Sequence, residues 1–423
     1  MTRIKYMVPV ALAALFLASR ALTYVLWLRP DVTFVANDVS YYGYHLYQLE
    51  AGADDVMREY PPPAVWVLHA LYRLGGGWQT WFGLYAGFFL ALDAVVAMTL
   101  YRKDNWRASL FWILFTGANG AIVWFRFDLL PAALVAWACL WLAGRPRVAG
   151  AMVGVGAAIK FWPALLIAPM LAPDPRRRPA LDRLLGFLAA GLGLAAISLA
   201  LEGWRRNTDP LTWQGDRGLQ IESIPATPLM WLRTYTDTPS WDIKLSQFNA
   251  LEIYGPGVDA MLAVSSVLTV LSILLTLGLT ALLIRRRAGT SSILLAILAI
   301  VLATIVANKT LSPQYVLWLG GPVAALFLHA DSAWLRRHVG VIAWSLIVVG
   351  LLTQYTYPWG AYGIMAIPLG SGPETSVLVL RNLLLLVLTG YVSVLAALST
   401  RTGARPVYRS ERPQHPVSEL AKL

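Results

Sequence analysis

The chain is 423 residues long, 57% hydrophobic and 13% charged, with a formal charge of +11 and a mean hydropathy of +0.58. Soluble domains carry about 25% charged residues, so a soluble enzyme or binding module is excluded and an integral membrane protein remains. One cysteine, Cys139, and five histidines without ligand spacing exclude an intrachain disulfide and a zinc cluster, and no acidic group implies a metal or other cofactor.

The basic excess is not a nucleic-acid footprint. Most Lys and Arg cluster in "RK" at 102–103, "RPR" at 145–147, "RRR" at 176–178, "RRR" at 285–287, "RR" at 336–337 and the C-terminal tail. They flank apolar runs, which is the asymmetry that marks cytoplasmic loops. Runs of roughly 20 apolar residues cross a bilayer as helices. These runs lack the alternation of barrel strands, so the expected fold is an all-α polytopic membrane protein.

The first run, 7–28, has no small-residue cleavage site and reads as a retained helix with Arg3 and Lys5 inside. The first outer loop follows, 29–78, with Asp38 in "NDVSYYGYHLYQL". Its segment "PPPAVWVLHALYRLGGG" has an apolar part of only about 11 residues, too short to span. It is expected as an interfacial helix over 61–74, with proline in the first turn.

Further helices are expected near 79–101, 108–125, 129–143, 148–160, 161–172, 184–201, 258–284, 290–307, 314–329, 339–357 and 377–399. The stretch 148–172 alternatively forms one kinked span. About twelve helices result, with both termini cytoplasmic and a long outer loop at 202–257 carrying Trp204, Trp213, Trp231 and Trp241. Residues 1–400 form one transmembrane domain, and 401–423 read as a disordered cytoplasmic tail.

Ionisable groups in a membrane protein are costly and so mark function by default. This threading gathers them at the outer face: Asp38, then Arg126 and Asp128 in "WFRFDLLP", Lys160 in "AAIKFWP", Arg217, Gln220 and Glu222 in "DRGLQIES", and Lys309 and Gln314 in "NKTLSPQY". One acid and several cations walled by tyrosine and tryptophan suit a substrate that joins an anionic group to a sugar. Structural readings stay open for each piece. Arg126 and Asp128 could pair with each other, Lys160 could snorkel, and Tyr60 beside the proline run could mark only a rigid turn. Arg20 could pair with Asp93, but their depths differ by about two helical turns, which favours Arg20 facing the pocket.

The stretches "NDVSYY", "EYPPPAVWVL", "FRFDLLPAALVAWACLWLAGRPRVAGAMVGVGAAIKFWPALLIAPML" and "LSPQYVLWLGGP" resemble, in that order, glycosyltransferase family 87. The resemblance implies a GT-C fold and a polyprenyl-phosphate sugar donor, with inverting transfer to a lipid-linked or cell-envelope glycan acceptor. It implies Asp38 as general base. Lys160 matches the family's K-x-x-P lysine, Tyr42 a family position and Arg20 a first-helix position. Arg126, Arg217 and Lys309 join Lys160 and Arg20 as candidate donor-phosphate ligands. Tyr42, Tyr60, Asp128, Gln220, Glu222, Gln314 and Tyr315 are candidate substrate contacts. The family includes a mycobacterial phosphatidylinositol-mannoside mannosyltransferase that carries a histidine pair where "SPQYVLW" places Gln314 and Tyr315. That departure counts against mannosyl specificity and not against the reaction class; the resemblance implies a mannosyltransferase first, with an arabinofuranosyltransferase or a lipid or sugar transporter or flippase as alternatives. The expected surroundings are membrane lipids and no nucleic acid.

Overall fold

The computed structural model describes residues 2–103, 106–172, 176–236 and 239–402. Nearly every predicted apolar run is a helix, because a segment without polar side chains must satisfy its own backbone groups. The order is α1 (Thr2–Trp27), α2 (Asn37–Glu50), α3 (Pro62–Leu74), α4 (Trp78–Tyr101), α5 (Trp106–Ala118), α6 (Ile122–Phe125), α7 (Leu129–Trp141), α8 (Pro146–Ile159) and α9 (Ile167–Met170). Then come α10 (Arg178–Asp216), α11 (Thr227–Tyr235), strands β1 (Asp242–Leu245) and β2 (Leu251–Tyr254), and α12 (Val258–Arg286). The chain closes with α13 (Thr290–Ala307), α14 (Gly320–His329), α15 (Ala333–Gln354), α16 (Ala361–Met365) and α17 (Gly372–Thr402).

Seven of the described helices are long and apolar enough to cross a membrane. The protein is therefore an all-α polytopic membrane protein. Helices α7 and α8 are apolar but short, about 20 Å at 1.5 Å per residue against a hydrocarbon core of about 30 Å. Their length is tolerated because neighbours cover them: α7 packs against α4, α8 and α14, and almost all its side chains are buried. Helix α13 is apolar all round, as a helix enclosed by others should be, and α12, α14 and α17 enclose it.

The run 161–172 is not a continuous helix. A 3-10 turn covers Trp162–Leu166 before the single turn α9, and prolines 163 and 169 account for the break. Helix α8 lies against α10 through glycines. A Cβ built on Gly150 would sit 1.9 Å from the Arg183 carbonyl oxygen, and one on Gly186 would sit 2.0 Å from that of Arg147. Small residues at such crossings let backbones touch, which is how helices associate where lipid offers no hydrophobic drive.

Both outer loops hold more structure than expected. Residues 30–36 form a 3-10 turn leading into α2, so Asp38 lies in the first turn of a helix and not in an open loop. The expected helix at 61–74 is α3, packed between α2, α4, α8 and α10. The segment 202–257 starts as a continuation of α10 beyond a bend at Gly203, where φ +74° and ψ 175° favour glycine. Past the bend, Arg206 donates to the Tyr60 carbonyl at 3.0 Å and Arg58 pairs with Asp209 at 3.0 Å. Those contacts dock the second half of α10 over the first outer loop. The antiparallel β1–β2 hairpin, in register Asp242↔Tyr254 to Leu245↔Leu251, follows α11 and departs from an all-helical expectation. The expected tail beyond residue 402 lies outside the described residues.

Gly150→Val should drive a branched side chain into the α10 backbone and destabilise the fold by about 1–3 kcal/mol. Thermal unfolding in detergent reads this as a lowered midpoint, whereas Gly193→Val, whose added Cβ would meet nothing within 4 Å, should leave it near wild type.

Candidate functional site

Two adjoining cavities lie where the segments 29–60 and 202–257 meet the helix ends. The larger, about 340 Å³, is lined by Phe34, Asn37, Gln220, Glu222, Thr310, Tyr357 and Tyr362 among others. The smaller, about 120 Å³, is lined by Tyr41, Tyr42, Glu59, Tyr60, Lys160, Gln314 and Tyr315. Asp38, Arg126, Arg217, Asn249 and Ser312 line both, so they stand between the two.

Asp38 reaches this wall from the N-terminal turn of α2, the end of a helix that favours a carboxylate. It forms an ion pair with Arg126, whose Nη1 faces Asp38 Oδ2. Arg126 caps the C-terminus of α6 in an extended conformation, which frees its side chain to turn into the cavity wall. Its Nη2 donates to the Tyr357 hydroxyl, and its guanidinium lies 5.2 Å from the centre of that ring. Its Nε is buried and has no hydrogen-bond partner among the described residues.

Asp128, two residues on, caps the N-terminus of α7 and faces the other way. It accepts from Lys160 Nζ at 2.6 Å and Trp318 Nε1 at 2.8 Å, and is only 1% exposed. The alternative in which Arg126 and Asp128 pair with each other is thereby corrected. Successive extended and helical positions send the two side chains to different partners. Asp128 is also corrected as a substrate contact, since it lines neither cavity and instead holds Lys160 from below. Lys160 ends α8, where the helix dipole favours a cation. Its ammonium stands 5.1 Å from the Tyr315 ring centre and 5.5 Å from that of Trp318. Tyr315 and Trp162 stack on either side of Trp318 at 4.2 and 4.5 Å.

Tyr42 and Tyr60 share a hydrogen bond of 2.7 Å between their hydroxyls, and Tyr41 donates to Glu59 at 2.7 Å. Burial, reinforced by neighbouring acidic groups, pushes all three phenols above their ordinary range. Gln314 and Gln220 each keep a buried amide oxygen without a protein partner among the described residues. Arg217, at the end of α10, has no ion-pair partner among them, and its buried Nε lacks a hydrogen bond. It is the cation on this wall not already claimed by a carboxylate.

Glu222 borders the larger cavity and is clamped by Arg381 of α17, whose Nη1 lies 2.6 Å from its carboxylate and whose Nη2 donates to its carbonyl at 2.8 Å. Burial pushes the Glu222 carboxyl above the usual carboxylate range, with Arg381 pulling the other way. Sequence reasoning missed Arg381, Tyr357 and Trp318. A fully buried arginine in "VLVLRNLLLL" was the one available signal, as an ionisable group inside an apolar helix. Nothing in the sequence separates Tyr357 and Trp318 from the many interfacial aromatics.

Two expected phosphate ligands lie elsewhere. Lys309 donates to the Gly215 carbonyl at 2.8 Å and lines neither cavity, so it tethers the end of α10. Arg20 is corrected outright. Its Nε donates to Asp93 at 2.9 Å and its Nη1 to the Ile113 carbonyl at 3.0 Å, while Nη2 reaches Thr116. Trp112 Nε1 completes the Asp93 shell at 2.8 Å. The depth argument failed because side chains lean toward the N-terminus of their own helix. Helices α1 and α4 run antiparallel, with Trp27 stacked on Phe82, so Arg20 and Asp93 lean toward each other and close the gap.

Seven long apolar helices beneath a cation-bearing, tyrosine-walled double cavity define a membrane protein with a polar site enclosed at one end of its bundle. The chain belongs to glycosyltransferase family 87, whose family model matches residues 59–313. It is a membrane glycosyltransferase, and membership decides against the transporter or flippase alternative. The match covers Tyr60, Arg126, Asp128, Lys160, Arg217, Gln220, Glu222 and Lys309, and lies between Asp38 on one side and Gln314 on the other. No curated protein and no solved structure matches the chain.

Removing either member of the Arg20–Asp93 pair strands a buried charge, at a cost of about 3–5 kcal/mol. Arg20→Leu and Asp93→Leu should each lower the unfolding midpoint markedly, and the double variant should recover part of that loss. Arg20→Leu protein that retains its fold should keep the sugar-transfer rate of the wild type, because Arg20 lines neither cavity.

Proposed function

We propose that the enzyme transfers a sugar, mannose in the favoured reading, from a polyprenyl-phosphate donor to a hydroxyl of a lipid-linked or cell-envelope glycan. The reaction takes place at the extracytoplasmic face of the plasma membrane, with both termini cytoplasmic. The observation that carries this reading is the position of Asp38 on a wall between two cavities, beside Arg126 and Arg217 and across the smaller cavity from Lys160. A transferase needs one chamber for each substrate and its base between them.

In the reaction the acceptor hydroxyl gives its proton to the Asp38 carboxylate as its oxygen bonds to the anomeric carbon from the face opposite the leaving group. The anomeric carbon–oxygen bond to phosphate breaks, and its electron pair stays on the phosphate. Polyprenyl phosphate is a stable anion, so the site needs positive charge at the leaving oxygen more than a general acid. Arg126, Lys160 and Arg217 converge on the smaller cavity and would supply it. Tyr42, Tyr60, Gln314 and Tyr315 line the same space and offer hydroxyl and amide partners, with an aromatic face for a sugar ring. Gln220 offers an amide and Glu222 a carboxylate in the larger cavity, beside the rings of Tyr357 and Tyr362.

The orientation is supported by charge placement, because the basic segments at 102–103, 145–147 and 285–287 lie at helix ends remote from Asp38. Arabinofuranose is the second reading: the resemblance implies a histidine pair in a mannosyltransferase of the family, and Gln314 and Tyr315 in its place speak against mannose.

Purified enzyme in lipid vesicles, incubated with radiolabelled polyprenyl-phosphate mannose and arabinose and a lipid extract as acceptor, should transfer one of them. Asp38→Asn should lower turnover by about 10²–10⁴-fold, the usual contribution of a general base, while remaining folded. Turnover near wild type in that variant would remove Asp38 from the mechanism.

A further inference from the structure

Arg126 carries a single positive charge, and Asp38 already neutralises it. Nη1 faces Asp38 and Nη2 donates to the Tyr357 hydroxyl, while Nε is buried without a partner among the described residues. A second anion on the same guanidinium would therefore repel the Asp38 carboxylate. The two partners differ in what else holds them. The Tyr357 ring is fixed by an edge contact with Phe34, centroids 5.4 Å apart, and follows Thr356, which Arg381 holds at 3.2 Å. The Asp38 side chain is 20% exposed against 9% for Arg126, and faces both cavities. Arg217 lines the same wall without a carboxylate of its own, so an incoming anion is drawn to Arg126's side.

We infer that Arg126 is the exchange point between base and donor: the lipid phosphate displaces Asp38 from the guanidinium, and Tyr357 positions Arg126 for the exchange. This rests on the glycosyltransfer reading above. Before the donor arrives, a carboxylate oxygen of Asp38 is occupied by a charge-assisted contact and is not open to the acceptor hydroxyl. Once phosphate takes Nη1, Asp38 is free to accept the acceptor proton. The acceptor hydroxyl is thus activated only in the presence of its sugar donor, which makes binding ordered, donor first. No bond is made or broken in the exchange; one anion replaces another on the same guanidinium.

A double-mutant cycle on polyprenyl phosphate binding tests this, and the probe does not depend on which sugar is transferred. Asp38→Asn should tighten binding of polyprenyl phosphate by about tenfold, since the competing ion is gone. In an Arg126→Gln background the same change should have no effect. Equal tightening in both backgrounds would mean simple charge repulsion and would overturn the exchange, as would no tightening in either. Infrared difference spectra of the wild type, which need no variant to fold, should show an aspartate carboxylate band shifting when polyprenyl phosphate is added, and absence of any shift overturns it too. Failure of the wild type to bind polyprenyl phosphate at all overturns the donor reading together with the exchange. Normal binding without coupling overturns the exchange alone.

Discussion

The ion pair between Asp38 and Arg126 joins three separate parts of the chain at one point. Asp38 comes from the helix after the first span, Arg126 from the bend between α6 and α7, and the hydroxyl that completes the arrangement from the end of α15. A guanidinium enclosed by helix ends is costly unless its donors are met, so these three segments must converge for the fold to close.

Other charges repeat the principle with a different outcome. Arg20 with Asp93, and Arg381 with Glu222, are pairs whose members are all nearly inaccessible, and each is wrapped by further hydrogen bonds with Trp112 and Thr116 or with Asn382 and Thr356. Such pairs fix register between helices, and although Glu222 borders the larger cavity, neither of their arginines lines one. In the pairs of Asp38 with Arg126 and of Lys160 with Asp128 the cation itself faces a cavity. The structural and the functional charges differ in enclosure, not in chemistry.

That difference explains what the sequence made legible. Hydropathy placed α4, α7, α8, α12 and α13 to within a few residues, since they begin and end where apolar runs meet charged or turn residues, but it missed the breaks within 108–125 and 161–172 and the length of α10. The cluster of Asp38, Arg126, Lys160 and Arg217 was legible because topology alone sends those positions to one face. Arg20 was misread because its partner depends on how far two side chains lean along antiparallel helices, a length that a depth estimate from sequence omits. Arg381 went unremarked although its burial in an apolar run was the same kind of signal. Tyr357 and Trp318 were illegible for another reason: tyrosine and tryptophan abound at membrane interfaces, and only three-dimensional contact with Arg126 and Asp128 sets these two apart.

The bend at Gly203 connects these observations to the substrate. It turns the second half of α10 across the first outer loop, where Arg206 and Asp209 fasten it to Tyr60 and Arg58, and it delivers Gln214 and Arg217 to the cavity wall. Arg217 thus reaches the site on a segment docked by an ion pair and a backbone contact, while Arg126 and Lys160 project from helix ends and pair with Asp38 and Asp128. The three cations of the smaller cavity therefore come from three separate elements, and Arg217 is the one that arrives without a carboxylate partner among the described residues.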